Sequence, residues 1–281
     1  RIESIDRELA FNVGLIYGPS GCGKSSLVQA GILPRLAPHV LTVSLPATPN
    51  GTEAELLRRI RQRCPGLPSS LGLTETVRAL REGGNLPPGK KLLIVLDQFE
   101  QWLQSHADRD DSALVETLRQ CDGVRVQALF VVRDDSWMAL NRLLRSLEVE
   151  LSSERNMAAV DLFDRKHARA VLAAFGRGHG ALPDDPDAMS EDQNEFLDQA
   201  IDELAEGGRV VCVRLALLAE MVKDRPWTPE TLDEIGGVHG VGVSFLENVI
   251  GARAQHPILR PNRKVVRSIL RALLPPIGLE I

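Results

Sequence analysis

Gly18-Pro19-Ser20-Gly21-Cys22-Gly23-Lys24-Ser25 decides how this chain is read. The eight residues fit the phosphate-loop pattern G-x-x-x-x-G-K-[ST] without a mismatch. Ahead of them, Val13-Gly14-Leu15-Ile16-Tyr17 reads as a short buried strand, and Ser26 to Ala30 behind them holds good helix formers. Strand, glycine loop and helix are the context the pattern requires. Gly21 and Gly23 permit backbone conformations that a side chain blocks, so successive N–H groups can turn inward as an anion nest. The start of the helix adds unpaired amides and a favourable dipole. Lys24 is then placed to reach the β- and γ-phosphates and the Ser25 hydroxyl to hold Mg²⁺. The candidate nucleotide-binding residues are Gly18, Pro19, Ser20, Gly21, Cys22, Gly23, Lys24, Ser25 and the adjoining Ser26. A glycine-rich turn matching by chance is the bland alternative.

Lys91-Leu92-Leu93-Ile94-Val95-Leu96-Asp97 is the second informative stretch. Its aliphatic run suits a central parallel strand buried on both faces. Ligands in parallel α/β sheets bind outside the C-terminal strand ends, so Asp97 belongs on the rim where the phosphate loop opens. A carboxylate there can hold Mg²⁺ through its water shell; otherwise Asp97 merely caps the next helix. Glu100, three residues on, is the candidate base for the attacking water, because Gln98, directly after Asp97, cannot act as one. The alternative for Glu100 is a first-turn carboxylate favoured by the helix dipole. Val124 to Val132 reads as a further strand ending at Arg133, a candidate cation for the γ-phosphate. The alternative there is a surface pair with Asp134 or Asp135.

The remaining elements follow from periodicity and stop signals. Val40 to Ser44 and Met157 to Leu162 read as strands. Helices are expected over 1–10, 52–63 (capped by Thr52, with Glu55 three residues on), 73–83, 111–120, 136–147, 164–175, 190–205, 210–221, 228–235, 243–252 and 262–274. After Phe163 no run looks like a core strand. Arg263, Arg267 and Arg271 form one stripe, most simply a solvated basic face.

The 281 residues carry 43% hydrophobic and 25% charged residues and a formal net charge of −5. That acidic balance argues against a dedicated nucleic-acid binder. Cys22, Cys64, Cys121 and Cys212 lack metal-ligand spacing and read as reduced thiols of a cytoplasmic protein. No apolar run approaches the roughly 20 residues of a membrane helix. The start at Arg1 reads as a piece of a longer protein.

The run from Tyr17 to Leu36, with Leu96-Asp97-Gln98-Phe99-Glu100, resembles the STAND class of P-loop NTPases, and most of all its bacterial "novel STAND" branch. The resemblance implies an α/β fold of the ASCE/AAA+ group: a five-stranded parallel sheet whose strand ending at Arg133 lies between the phosphate-loop strand and the Asp97 strand. It implies a P-loop core over 1–163, an all-helical lid over 164–252 and the start of a winged-helix segment over 253–281. The family's lid often carries a Gly-x-Pro at the nucleotide; here the comparable Val211-Cys212-Val213-Arg214-Leu215 has no proline. The resemblance further implies an ATP/ADP switch with Mg²⁺ and slow hydrolysis. It implies self-association in the ATP state, an N-terminal effector and a C-terminal sensor. A nucleotide-holding scaffold without turnover and an AAA+ remodelling ATPase are the competing readings; an ABC subunit lacks its Leu-Ser-Gly-Gly signature, and a small-molecule kinase needs a smaller lid.

Overall fold

The computed structural model describes residues 1–83, 85–106 and 112–237, and residues 265, 268, 269 and 272 beyond them. The stretches read as helices over 243–252 and most of 262–274, the arginine stripe and the segment 253–281 otherwise lie outside the described residues. The chain divides into two compact units, Arg1–Asp161 and Leu162–Ile281.

The first unit contains β1 (Val13–Gly18), α1 (Lys24–Ser26), β2 (Val40–Pro46), α2 (Thr52–Arg63), α3 (Leu73–Arg81) and β3 (Lys91–Asp97). It continues through α4 (Glu100–Ser105), α5 (Ala113–Leu118), β4 (Val126–Arg133), α6 (Trp137–Ser146) and β5 (Met157–Ala159). The five strands form one parallel sheet in the order β2-β3-β4-β1-β5. β4, which ends at Arg133, therefore lies between the phosphate-loop strand and the Asp97 strand, as expected.

Side-chain alternation along each strand explains why the sheet is buried on both faces. Leu92, Ile94 and Leu96 of β3, with Ala128, Phe130 and Val132 of β4, share one core with Leu56, Ile60, Val77, Leu114 and Leu140 from the helices. Leu93, Val95, Leu129 and Val131 point the other way, into a core with Ile16 and Val28. Phe130, Phe99 and Trp102 stack in succession, with centroids 4.4 and 5.4 Å apart, and anchor α4 to the sheet. Trp102 also donates its indole N–H to Glu53 Oε1 at 3.1 Å, which ties α4 to α2.

The second unit holds β6 (Phe163–Asp164), α7 (Arg165–Gly178), α8 (Glu191–Leu204), β7 (Ala205–Glu206), β8 (Arg209–Val210), α9 (Cys212–Val222) and α10 (Pro229–Glu234). Its helices pack around Phe196 and Trp227, whose rings lie 5.1 Å apart. Among the described residues its regular structure is helical except for a small antiparallel sheet, β6-β8-β7, absent from the sequence reading. Gly207 and Gly208, with φ of 58° and 78°, close its hairpin; both central residues of such a two-residue turn need positive φ.

The N-terminal stretch is a correction. No helix forms over 1–10; the segment is irregular with a turn at 7–9. Ten residues are too few to hold a helix without tertiary packing. Here Ile5 and Leu9 are 67% and 54% exposed, so the expected apolar face is not buried. Ser4 and Asp6 side chains accept the Asp6 and Glu8 N–H groups instead. The cap at α2 also differs. Gly51 precedes the helix without a side-chain cap, and Thr52 Oγ1 bonds back to Thr48. Glu55 pairs with Arg58 and Arg59, whose hydrogen bonds hold its carboxyl down at about 2.

Candidate functional site

β1 delivers its last residue, Gly18, to the C-terminal rim of the sheet, in register with Arg133 of β4. A glycine is required there by close approach. A Cβ on Gly18 would sit 1.8 Å from the Val160 carbonyl oxygen, on the segment after β5. Pro19 to Gly23 then turn back over the rim, with Gly21 at φ 76° and Gly23 at φ 91°. Cys22 is buried beneath this loop. Lys24 begins α1, and the Leu27 N–H donates to the Gly23 carbonyl at 2.8 Å. The expected helix after the loop continues as wide π-type turns over Leu27–Ile32 and a tight turn over Leu33–Arg35.

Lys24 folds back over the loop. Its ammonium donates to the Gly18 and Pro19 carbonyls, each at 2.8 Å. The Ser25 hydroxyl donates to Asp97 Oδ1 at 2.9 Å. Residues 72 positions apart in sequence therefore meet at one point on the rim. Asp97 is almost wholly buried, and its Oδ1 also accepts the Gln98 N–H at 2.9 Å.

Gln98 takes φ 51°, a left-handed turn uncommon for a residue with a side chain. The turn is fixed on both sides, because Ala47 N–H donates to the Asp97 carbonyl at 2.7 Å and Phe99 N–H to the Val131 carbonyl at 3.1 Å. It sends the chain directly into α4 and sets Glu100 beside β4. Glu100 is 8% exposed, and its Oε2 accepts the Arg133 N–H at 3.3 Å. The Arg133 guanidinium pairs with Asp135 and is half exposed. The structure thus brings Gly18 to Ser26, Asp97, Glu100 and the Arg133 backbone to one rim. The Arg133 side chain takes the surface pairing that stood as its alternative.

The Ser25–Asp97 pair can be tested against magnesium. The ion prefers hard oxygen ligands in an octahedron with bonds of about 2.0–2.1 Å, so neighbouring ligands lie roughly 3 Å apart. A hydroxyl and a carboxylate oxygen 2.9 Å apart fit adjacent positions around such an ion, or one ligand and the acceptor for a bound water. Sequence reasoning missed Val160, whose carbonyl forces Gly18, and the turn at Gln98. No pattern in the chain signals a backbone carbonyl's approach. A glutamine in a left-handed turn leaves no mark either.

With this geometry in place, the family described as Novel STAND NTPase 1 matches residues 2–241. The chain belongs to the novel STAND NTPases. No curated protein sequence matches it. Among solved structures, this STAND NTPase is similar to the ADP form of the ORC2 protein of Aeropyrum pernix. Identity is 17% and the TM-score 0.55, over 94% of this chain and 75% of that one. It is also similar to a Walker-type ATPase of Pyrococcus abyssi, at 14% identity and TM-score 0.53, over 93% and 72%. At such identities the likeness establishes the fold, an α/β P-loop ATPase architecture. The family establishes a nucleotide-dependent NTPase. No helix among the described residues is long and apolar enough to cross a membrane.

Proposed function

We propose that this STAND NTPase is an ATP-driven signalling switch that binds Mg²⁺–ATP at Gly18 to Ser26, hydrolyses it slowly and self-associates in the ATP state. The observation that carries this reading is the 2.9 Å contact between Ser25 and Asp97, which puts the end of the glycine loop beside the carboxylate that ends β3. In this reading the loop N–H groups from Ser20 to Ser25 donate to the phosphate oxygens. The Lys24 ammonium exchanges the Gly18 and Pro19 carbonyls for the β- and γ-phosphates. Ser25 and Asp97 hold magnesium, which when bound offsets phosphate charge. Glu100, held by the Arg133 N–H through one oxygen, uses the other to orient and deprotonate the attacking water. Arg133 reads the γ-phosphate by leaving Asp135. Residues 1–163 act as the core, 164–252 as the lid and 253–281 as the opening of a winged-helix segment. The protein works in the cytoplasm, between an N-terminal effector and a C-terminal sensor.

The test is calorimetry with Mg²⁺–ATP on the wild type and Lys24→Ala. Wild type is expected to bind and the variant to show no heat of binding. Equal affinity in both ends the reading. One observation favours a second reading, a nucleotide-holding scaffold without turnover: Gln98, not an acid, follows Asp97, and its side chain bonds Gln101 at 3.1 Å.

A further inference from the structure

Residues 1–12 cross beneath the N-terminal ends of the strands, at the sheet edge opposite the phosphate loop; side-chain hydrogen bonds hold them there, and at Asn12 the carbonyl accepts the Ala128 N–H at 3.0 Å. At the start of β2, the Glu3 carboxylate accepts the Ala37 N–H at 2.6 Å and the Glu3 carbonyl meets His39 Nε2 at 2.8 Å. At the first residue of β3, Lys91 Nζ donates to the Ser4 carbonyl at 2.7 Å and to the Gly123 carbonyl at 2.9 Å. Ahead of β5, Arg155 donates to the Glu8 carbonyl at 3.1 Å. On β4, Gln127 Nε2 donates to the Phe11 carbonyl at 2.8 Å. The segment then runs straight into β1.

Apolar packing along this strap is thin. Ile2 and Ala10 turn inward, Ile5 and Leu9 face out, and a cleft of about 390 Å³ separates Arg7, Ala10 and Phe11 from 148–152 and Arg155. Segments with few buried apolar contacts open first. The Lys91 side chain, by contrast, is fully buried. The two strands that carry Gly18 and Asp97 to the rim, one on each side of β4, both begin at the strap. β1 leaves it and ends in Gly18; β3 starts with Lys91 and ends in Asp97.

We propose that residues 1–12 form a releasable strap latched by the Lys91 amine, and that strap docking and nucleotide binding at the opposite edge favour each other. The proposal rests on the nucleotide site described above. Undocking frees the lower end of β1 and the Lys91 end of β3, loosening their pairing with β4, which sets Ser25 against Asp97. Coupling between two sites is reciprocal, so nucleotide must tighten the strap by the factor by which the strap tightens nucleotide.

The latch carries a pH signature. Burial holds the Lys91 amine down at about 8, against 10.5 for an ordinary lysine, while Asp122 pulls it the other way. The other charged or titratable groups on the elements around it are Arg1, Glu3, Asp6, Arg7 and Glu8 on the strap, with His39, Lys90, Cys121 and Arg125. The undocked amine binds more protons than the docked one between these values, so raising the pH favours docking. From pH 7 to pH 9 the docking constant grows by up to about tenfold, the limit reached when undocking returns the amine fully to water.

Amide hydrogen exchange on the full chain tests this, with rates corrected for the intrinsic pH dependence. Mg²⁺–ATP is expected to raise protection of residues 2–12 severalfold, and protection to rise from pH 7 to pH 9. Lys91→Met should lose both the strap protection and its pH response while weakening ATP binding severalfold. If Lys91→Met does not fold, Glu3→Ala should loosen the strap and weaken ATP binding while keeping the pH response. Strap exchange that ignores nucleotide in a protein that binds it overturns the coupling. A pH response that survives Lys91→Met, or strap exchange unchanged in Glu3→Ala, overturns the latch. Failure of the wild type to bind ATP at all sinks the nucleotide reading and the coupling with it, while the pH comparison still judges the latch.

Discussion

Replacing Gly18 by alanine tests the rim geometry most sharply. The added Cβ would lie 1.8 Å from the Val160 carbonyl oxygen and 3.0 Å from its carbon. The struck atom is backbone, which cannot rotate aside as a side chain can. Either the segment after β5 or the phosphate loop must move by more than 1 Å, taking roughly 3.2 Å as a normal carbon–oxygen contact. Overpacking of this kind costs about 1–3 kcal/mol, and an unyielding backbone puts Gly18→Ala at the upper end. For a unit of this size, about 2–4 °C of melting temperature is lost per kcal/mol, so Tm should fall by about 6–12 °C. Gly51→Ala is the control. It has φ 89° but nothing within 4 Å of the new Cβ, so only the backbone strain remains, about 1–2 kcal/mol. Thermal unfolding followed by circular dichroism, with Mg²⁺–ATP calorimetry on the same samples, reads both effects. If Gly18→Ala melts within a degree of wild type and binds nucleotide normally, the close approach of Val160 does not shape this loop.

Glu100 and Cys121, both buried, give two further tests. Glu100→Gln should keep ATP affinity and slow phosphate release by at least about a hundredfold; unchanged release removes Glu100 as the base, and no release from the wild type favours the scaffold reading. Burial, with Asp122 adding to it, pushes the Cys121 thiol up to about 12. The folded chain therefore keeps a proton that the unfolded chain has lost between about pH 9 and 12, and stability falls as pH rises through that window. Cys121→Ala should remove up to about 1.4 kcal/mol per pH unit of that slope, measured by urea unfolding against wild type. Equal slopes contradict the burial argument.

The centre of the sheet was legible because β1, β3 and β4 are buried on both sides. Lys91–Asp97 spans the predicted residues, since a continuous aliphatic run bounded by Gly89 and a carboxylate leaves little freedom in its ends. The α2 limits, Thr52–Arg63, were legible for a related reason, with Gly51 before the helix and Pro65 after it. The meeting of Ser25 and Asp97 could be read because phosphate chemistry constrains both motifs independently of the distance between them. What escaped depended on tertiary context. Apolar spacing at Ile2, Ile5 and Leu9 looked helical, but the strap is fixed by carbonyls that bond His39, Lys91 and Arg155. The hairpin at Gly207-Gly208 escaped because its two-residue strands are too short to show alternation. The partner of Arg133 was open between phosphate and a neighbouring aspartate, because adjacent charges in sequence do not say which will meet.

The most direct measurement is a crystal structure of the chain with Mg²⁺ and a non-hydrolysable ATP analogue. The account predicts the Lys24 amine on the β- and γ-phosphates instead of the Gly18 and Pro19 carbonyls. It also predicts Ser25 Oγ about 2.1 Å from the metal, with Asp97 beside it. A nucleotide bound away from Gly18 to Ser26, or a metal that neither Ser25 nor Asp97 approaches, would contradict it.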